Sequence, residues 1–107
     1  MLYTFKLTRR HEFPEDSGQQ LLPDDYRFFT GTRKHRLKTM IAFLDVTIPT
    51  DATKLVVYMS GYVPYAEALV TYCKRKGIKL VRLYYRRKRG FVKKEGNHVY
   101  GPVVKVA

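Results

Sequence analysis

The residues of this chain with chemical potential are basic, hydroxylic and aromatic, and they fall into four groups. Thr8-Arg9-Arg10-His11 closes the first apolar stretch, and Thr32-Arg33-Lys34-His35-Arg36 opens a helical pattern. Ser60-Gly61-Tyr62 follows a run of aliphatic residues, and Tyr84-Tyr85-Arg86-Arg87-Lys88-Arg89 follows another. Guanidinium forks match the oxygens of phosphate, and tyrosine rings offer flat faces to bases. His11, beside two arginines, could act as acid or base while the arginines stabilise a pentavalent phosphate, and Ser60 supplies a second candidate catalytic group. Cleavage of RNA without a metal needs little more, because the 2′-hydroxyl is the nucleophile and positioning does much of the work. Each group also has a plain reading: strand-end arginines are ordinarily solvated, and Gly61 can serve only to permit a turn.

Other chemistries lack their signatures. The chain has no HExxH, no paired cysteines, no GxSxG, no P-loop and no GxGxxG, so no metal site and no cofactor is expected. Its 107 residues carry 21 Lys and Arg against 9 Asp and Glu, a formal net charge of +12. A balance this basic points to a polyanion, with nucleic acid or a nucleotide messenger foremost. The length suits one domain over 1–107, burying roughly 65% of the surface of the unfolded chain. A lone cysteine, Cys73, is expected as a small core residue, and with no disulfide to form the expected location is cytoplasmic. No run approaches the ~20 apolar residues of a membrane span, and Met1 to Leu7 leads into Thr-Arg-Arg-His, not a cleavable signal pattern, so no membrane partner is expected.

Lys54 to Tyr85, which carries two of these groups, reads as a parallel βαβ unit. Leu55 to Met59 is apolar without alternation, as in a strand covered on both faces, and Ser60-Gly61 breaks it. Pro64 suits a first helical position, Ala66, Leu69, Val70 and Cys73 form a helical stripe, and Lys74-Arg75-Lys76 before Gly77 suits a helix end. Ile78 to Tyr85 is the second strand, joined by a right-handed crossover. Upstream, Met1 to Thr8 alternates as a half-buried strand. Glu12 to Asp25, with three turn-forming Pro or Gly and five acids, reads as a surface excursion. Asp25 to Phe29 reads as a short strand, and Leu37, Met40, Ile41 and Leu44 mark a helix introduced by Thr30-Gly31-Thr32 and ended near Ile48-Pro49. The first turn of that helix holds four basic residues and no acid, against the usual preference, which fits either exposure to water or a bound anion. After Tyr85, Phe91 to Lys94 and His98 to Val106 read as a hairpin around Glu95-Gly96-Asn97, with Pro102 placing the last strand at an edge.

The fold class is therefore α/β: a small domain with a mostly parallel sheet, a βαβ core and a C-terminal β-hairpin. In open α/β sheets ligands bind beyond the carboxyl ends of the strands, and if the first strand is parallel to the Lys54 strand all four groups meet at that edge.

The strand ending in Thr-Arg-Arg-His, and the strand leading through Met-Ser-Gly-Tyr-Val-Pro into a helix, resemble those of small Rossmann-like CRISPR-associated proteins. These are the ring nucleases and their viral relatives, which bind or cleave cyclic oligoadenylates. The resemblance covers about half the chain; the basic hairpin has no counterpart in it. It implies that Thr8, Arg9, His11, Ser60 and Gly61 surround a phosphodiester and that the protein is a homodimer with the ligand across its twofold. Three functions stay open: binding of nucleic acid or a cyclic oligonucleotide, metal-independent phosphodiester cleavage, and inhibition of a nucleic-acid-handling or defence complex by a small basic protein. The ligand-binding residues expected for the first two are Thr8, Arg9, Arg10, Thr32, Arg33, Lys34, Arg36, Gly61, Tyr62, Tyr84, Arg86, Arg87, Lys88 and Arg89.

Overall fold

The computed structural model describes the backbone of residues 1–9, 18–59, 62–86, 90–95 and 98–104, and the side chains of those up to residue 84. In chain order the elements are β1 (Leu2–Lys6), β2 (Gln19–Gln20), a 3-10 turn (Tyr26–Phe28), α1 (Arg33–Thr47), β3 (Lys54–Tyr58), α2 (Val63–Lys76), β4 (Lys79–Arg86), β5 (Gly90–Glu95) and β6 (His98–Val104). The strands form one sheet in the order β2-β1-β3-β4-β5-β6. The first four are parallel, and β5 and β6 continue the sheet antiparallel. This is the expected α/β, Rossmann-like arrangement, with β6 and its Pro102 at the edge.

The two helical crossovers, from β2 past β1 to β3 through α1 and from β3 to β4 through α2, step in the same direction across the sheet. With right-handed connections they place α1 and α2 on the same face, where the two helices pack against each other. Phe5, Leu7, Leu55, Val57 and Met59 are buried beneath Met40, Leu44, Tyr65, Leu69 and Cys73 in one continuous core. Tyr58, Val81 and Leu83, which alternate with the core-facing residues along β3 and β4, form a separate small cluster. The near-continuous apolar character of β3 thus reflects burial on both sides.

Local chemistry sets the helix limits. Thr32 caps α1, its hydroxyl accepting from the His35 amide at 3.2 Å. At the end of α2, Gly77 sits in the left-handed region at φ 68°, and the Gly77 and Ile78 amides donate to Lys74 and Cys73 carbonyls in a Schellman motif. The helix begins one residue before Pro64, which falls at its second position.

Three expectations are corrected. Asp25 to Phe29 is not a strand: the Asp25 carboxylate accepts from the Arg27 amide at 2.9 Å and pairs with its guanidinium at 3.0 Å, closing a 3-10 turn. The stretch before Asp25 is not wholly a surface excursion, because the Leu21 and Leu22 amides donate to the Lys6 and Leu7 carbonyls and both leucines are buried. The buried stripe of α2 is Tyr65, Ala68, Leu69, Tyr72 and Cys73, turned from the expected one toward its tyrosines. Those rings can be buried because their hydroxyls find partners, Tyr65 donating to the Pro23 carbonyl at 2.9 Å and Tyr72 to the Asp45 carboxylate at 3.3 Å. Of the hairpin turn, Gly96 and Asn97 lie outside the described residues. No described helix is long and apolar enough to cross a membrane.

Candidate functional site

The start of α1 is brought against the start of α2 because both helices run back over the same face. Between them lies a cleft of about 120 Å³ whose lining includes Arg33, Arg36, Met40, Tyr62, Pro64 and Glu67. Arg33 crosses it to Glu67, with Nη2 at 3.1 Å from both carboxylate oxygens. The pair is solvated, with side chains 82% and 40% exposed, so it contributes little to stability. It places an acid from the neighbouring helix against a first turn of α1 that has none of its own.

Backbone donors are unequal at the two starts. In α1 the His35 amide is held by the Thr32 hydroxyl and the Arg36 amide by the Thr32 carbonyl, leaving the amides of Arg33 and Lys34 at the open end. In α2, Pro64 has no N–H, and the Tyr65 and Ala66 amides turn to the Tyr62 carbonyl. An anion in the cleft would therefore find two adjacent first-turn amides on α1, against the single Val63 amide at the start of α2.

An aromatic ladder flanks the cleft. Tyr62 stacks on Tyr26 with ring centroids 4.6 Å apart and planes 21° off parallel. On the core side Tyr62 meets Tyr65 edge-on at 4.9 Å, and Tyr65 meets Phe29 edge-on at 6.0 Å. Exposure rises outward, from the buried Tyr65 and Phe29 through the half-buried Tyr62 to Tyr26 at 40%.

The expected site residues do not all meet. Arg9 lines a different cleft, of about 290 Å³, with Lys6, Gln19, Gln20, Pro23 and Phe43. The reason is β2, which runs beside the end of β1, together with Asp24, whose carboxylate holds the Arg9 amide at 2.6 Å. Thr8 is buried at 1% exposure, so its hydroxyl is not presented to solvent. Tyr84 packs on the main core, and Arg82 donates to its hydroxyl at 3.4 Å. Lys34 is exposed on the first turn of α1, and Thr32 is engaged as its cap. Arg86 ends β4. His11 and Ser60, the candidate catalytic residues, lie outside the described residues, as do Arg10, Gly61, Arg87, Lys88 and Arg89.

Sequence reasoning missed Tyr26 and Glu67. Asp25 ahead of Tyr-Arg-Phe was a legible turn signal, which would have released Tyr26 from a strand; nothing local marks Glu67 as the partner of Arg33. Among the described residues no group of three His, Cys, Asp or Glu could hold a metal ion. Cys73 is buried as expected, and burial pushes its thiol up to about 11.

In comparisons with known proteins, no family model, curated protein or solved structure matches the chain.

Proposed function

We propose that this protein binds a phosphate-rich ligand, a nucleic acid or a cyclic oligonucleotide, at the carboxyl edge of its sheet where α1 begins. The observation that carries this reading is the cleft between the helix starts, in which Arg33 and Arg36 stand beside open first-turn amides and the Tyr62 ring. Amides and guanidinium groups bind phosphate together, and the excess of positive charge over the whole chain draws polyanions toward it. Glu67 works against an incoming anion, so binding requires Arg33 to exchange its carboxylate partner for phosphate.

Binding of duplex DNA, single-stranded RNA and a cyclic oligoadenylate tests the proposal, with Arg36→Ala as the site variant. The expected outcome is binding of at least one of these at low salt, weakened by Arg36→Ala with the fold intact. No binding to any of them would leave the inhibitor reading, in which the positive surface mates with another protein. The same panel, scored for breakdown in EDTA, tests metal-independent phosphodiester cleavage by His11 and Ser60.

A further inference from the structure

We infer that the ligand is a single strand, with an unpaired base stacked on Tyr26 while the adjoining phosphate sits between Arg33 and Arg36. This rests on the anion-binding reading above and narrows it.

Sites that enclose a small organic ligand measure roughly 300–1,000 Å³, and the cleft between the helices offers about 120 Å³. It has room for a phosphate with part of its sugar, not for a nucleotide messenger of several bases. Any bases of the ligand must lie outside it, on the adjoining surface. That surface is aromatic: Tyr62 lines the cleft, and Tyr26 is laid on Tyr62 in a near-parallel stack.

Tyr26 is also built to receive a ring. It stands on the 3-10 turn that Asp25 closes through Arg27, and it is backed by Tyr62, which is itself braced edge-on by the buried Tyr65. A ring held this way loses little freedom when a ligand lands on it, so the stacking energy is not spent on ordering the side chain. The nearest acid in sequence, Asp25, is matched by the Arg27 guanidinium at 3.0 Å. A base inside a duplex has both faces occupied by its neighbours and shows only its edges. Only an unpaired base can offer the π-face that an exposed tyrosine takes, and such stacking tolerates any sequence because every base has that face.

The test measures fluorescence anisotropy at low salt with a short labelled oligothymidylate, an abasic oligomer of the same length, the matching oligouridylate, a duplex and a cyclic oligoadenylate. The proteins are the full chain and its Tyr26→Leu, Tyr26→Phe and Arg36→Ala variants, each checked for an unchanged thermal melt. Leucine keeps apolar contact with Tyr62 but has no π-face; phenylalanine keeps both. The base-bearing single strands should bind about 5- to 160-fold more tightly than the abasic oligomer, the range expected for one stacked base. Tyr26→Leu should erase that gap without weakening the abasic oligomer, and Tyr26→Phe should preserve it. Equal binding with and without bases, or tighter binding of the duplex or the cyclic ligand, would overturn the inference; if Arg36→Ala still weakened binding, the anion site itself would stand. If no oligomer bound at all, the anion site would fall and the inference with it.

Discussion

Substituting Glu67 by Gln should strengthen binding of a phosphate ligand, an outcome that general damage to the protein cannot produce. Glu67 lines the same cleft as Arg33 and Arg36 and holds Arg33 through both carboxylate oxygens. A phosphate in a cleft this small would sit on the order of 6 Å from that carboxylate, where two unit charges repel by about 0.7 kcal/mol in bulk water and about 3 kcal/mol at an effective dielectric of 20. The Glu67 side chain is 40% exposed, which places the effect toward the lower figure. A gain near 1 kcal/mol is about five-fold in Kd. Release of Arg33 to the ligand adds to it in the same direction. The cost to stability is that of an exposed ion pair, at most about 1 kcal/mol, so the melting temperature should change by no more than a few degrees. Titration of an oligonucleotide by anisotropy, at low salt and again near 0.15 M where the Debye length is about 8 Å, reads both the gain and its partial screening. Unchanged or weakened binding by a Glu67→Gln protein that melts normally would refute the placement of the anion between the helix starts. The cleft lined by Arg9 would then be the alternative anion site.

Other outcomes concern the scaffold that holds the site. Gly18 and Gly77 both have positive φ, at 82° and 68°, yet a Cβ at Gly18 would run into the Thr4 carbonyl oxygen while one at Gly77 meets open space. Gly77→Ala should therefore cost about 1 kcal/mol and Gly18→Ala roughly 2–4 kcal/mol in chemical denaturation, and equal costs would mean that β2 does not depend on this close approach. Tyr65→Phe removes the hydroxyl that donates to the Pro23 carbonyl and should cost about 1–2 kcal/mol, whereas Tyr26→Phe should change denaturant stability by less than about 0.5 kcal/mol. Burial raises the Cys73 thiol from 9.0 to about 11, so the folded state holds its proton where the unfolded chain releases it. That contribution to stability is complete below about pH 9 and is lost as pH rises through about 11, a fall that a Cys73→Ala protein should show less steeply. Alkylation of Cys73 at pH 8 should likewise follow unfolding, and rapid labelling of the native protein would contradict its burial.

The parallel βαβ unit and the helix before it were legible in their residues, because their signals are local. Leu55 to Met59 is a buried strand by composition, Gly77 ends a helix because it adopts the left-handed conformation at no steric cost, and Thr32 opens one by capping the His35 amide. The parallel pairing of β1 with β3 was a condition of the shared edge, and the sheet meets it. Which groups share a cleft was set by packing between elements. Insertion of β2 beside β1 drew Arg9 away from Arg33, and Leu21 and Leu22 were drawn inward with it, although their neighbours are polar. Tyr26 reached Tyr62 across 36 positions of sequence, and Arg33 reached Glu67 across 34. Periodicity records which way a side chain points from its own element. It carries no information on what the neighbouring element places opposite, and an ion pair or a stacked ring is a property of both.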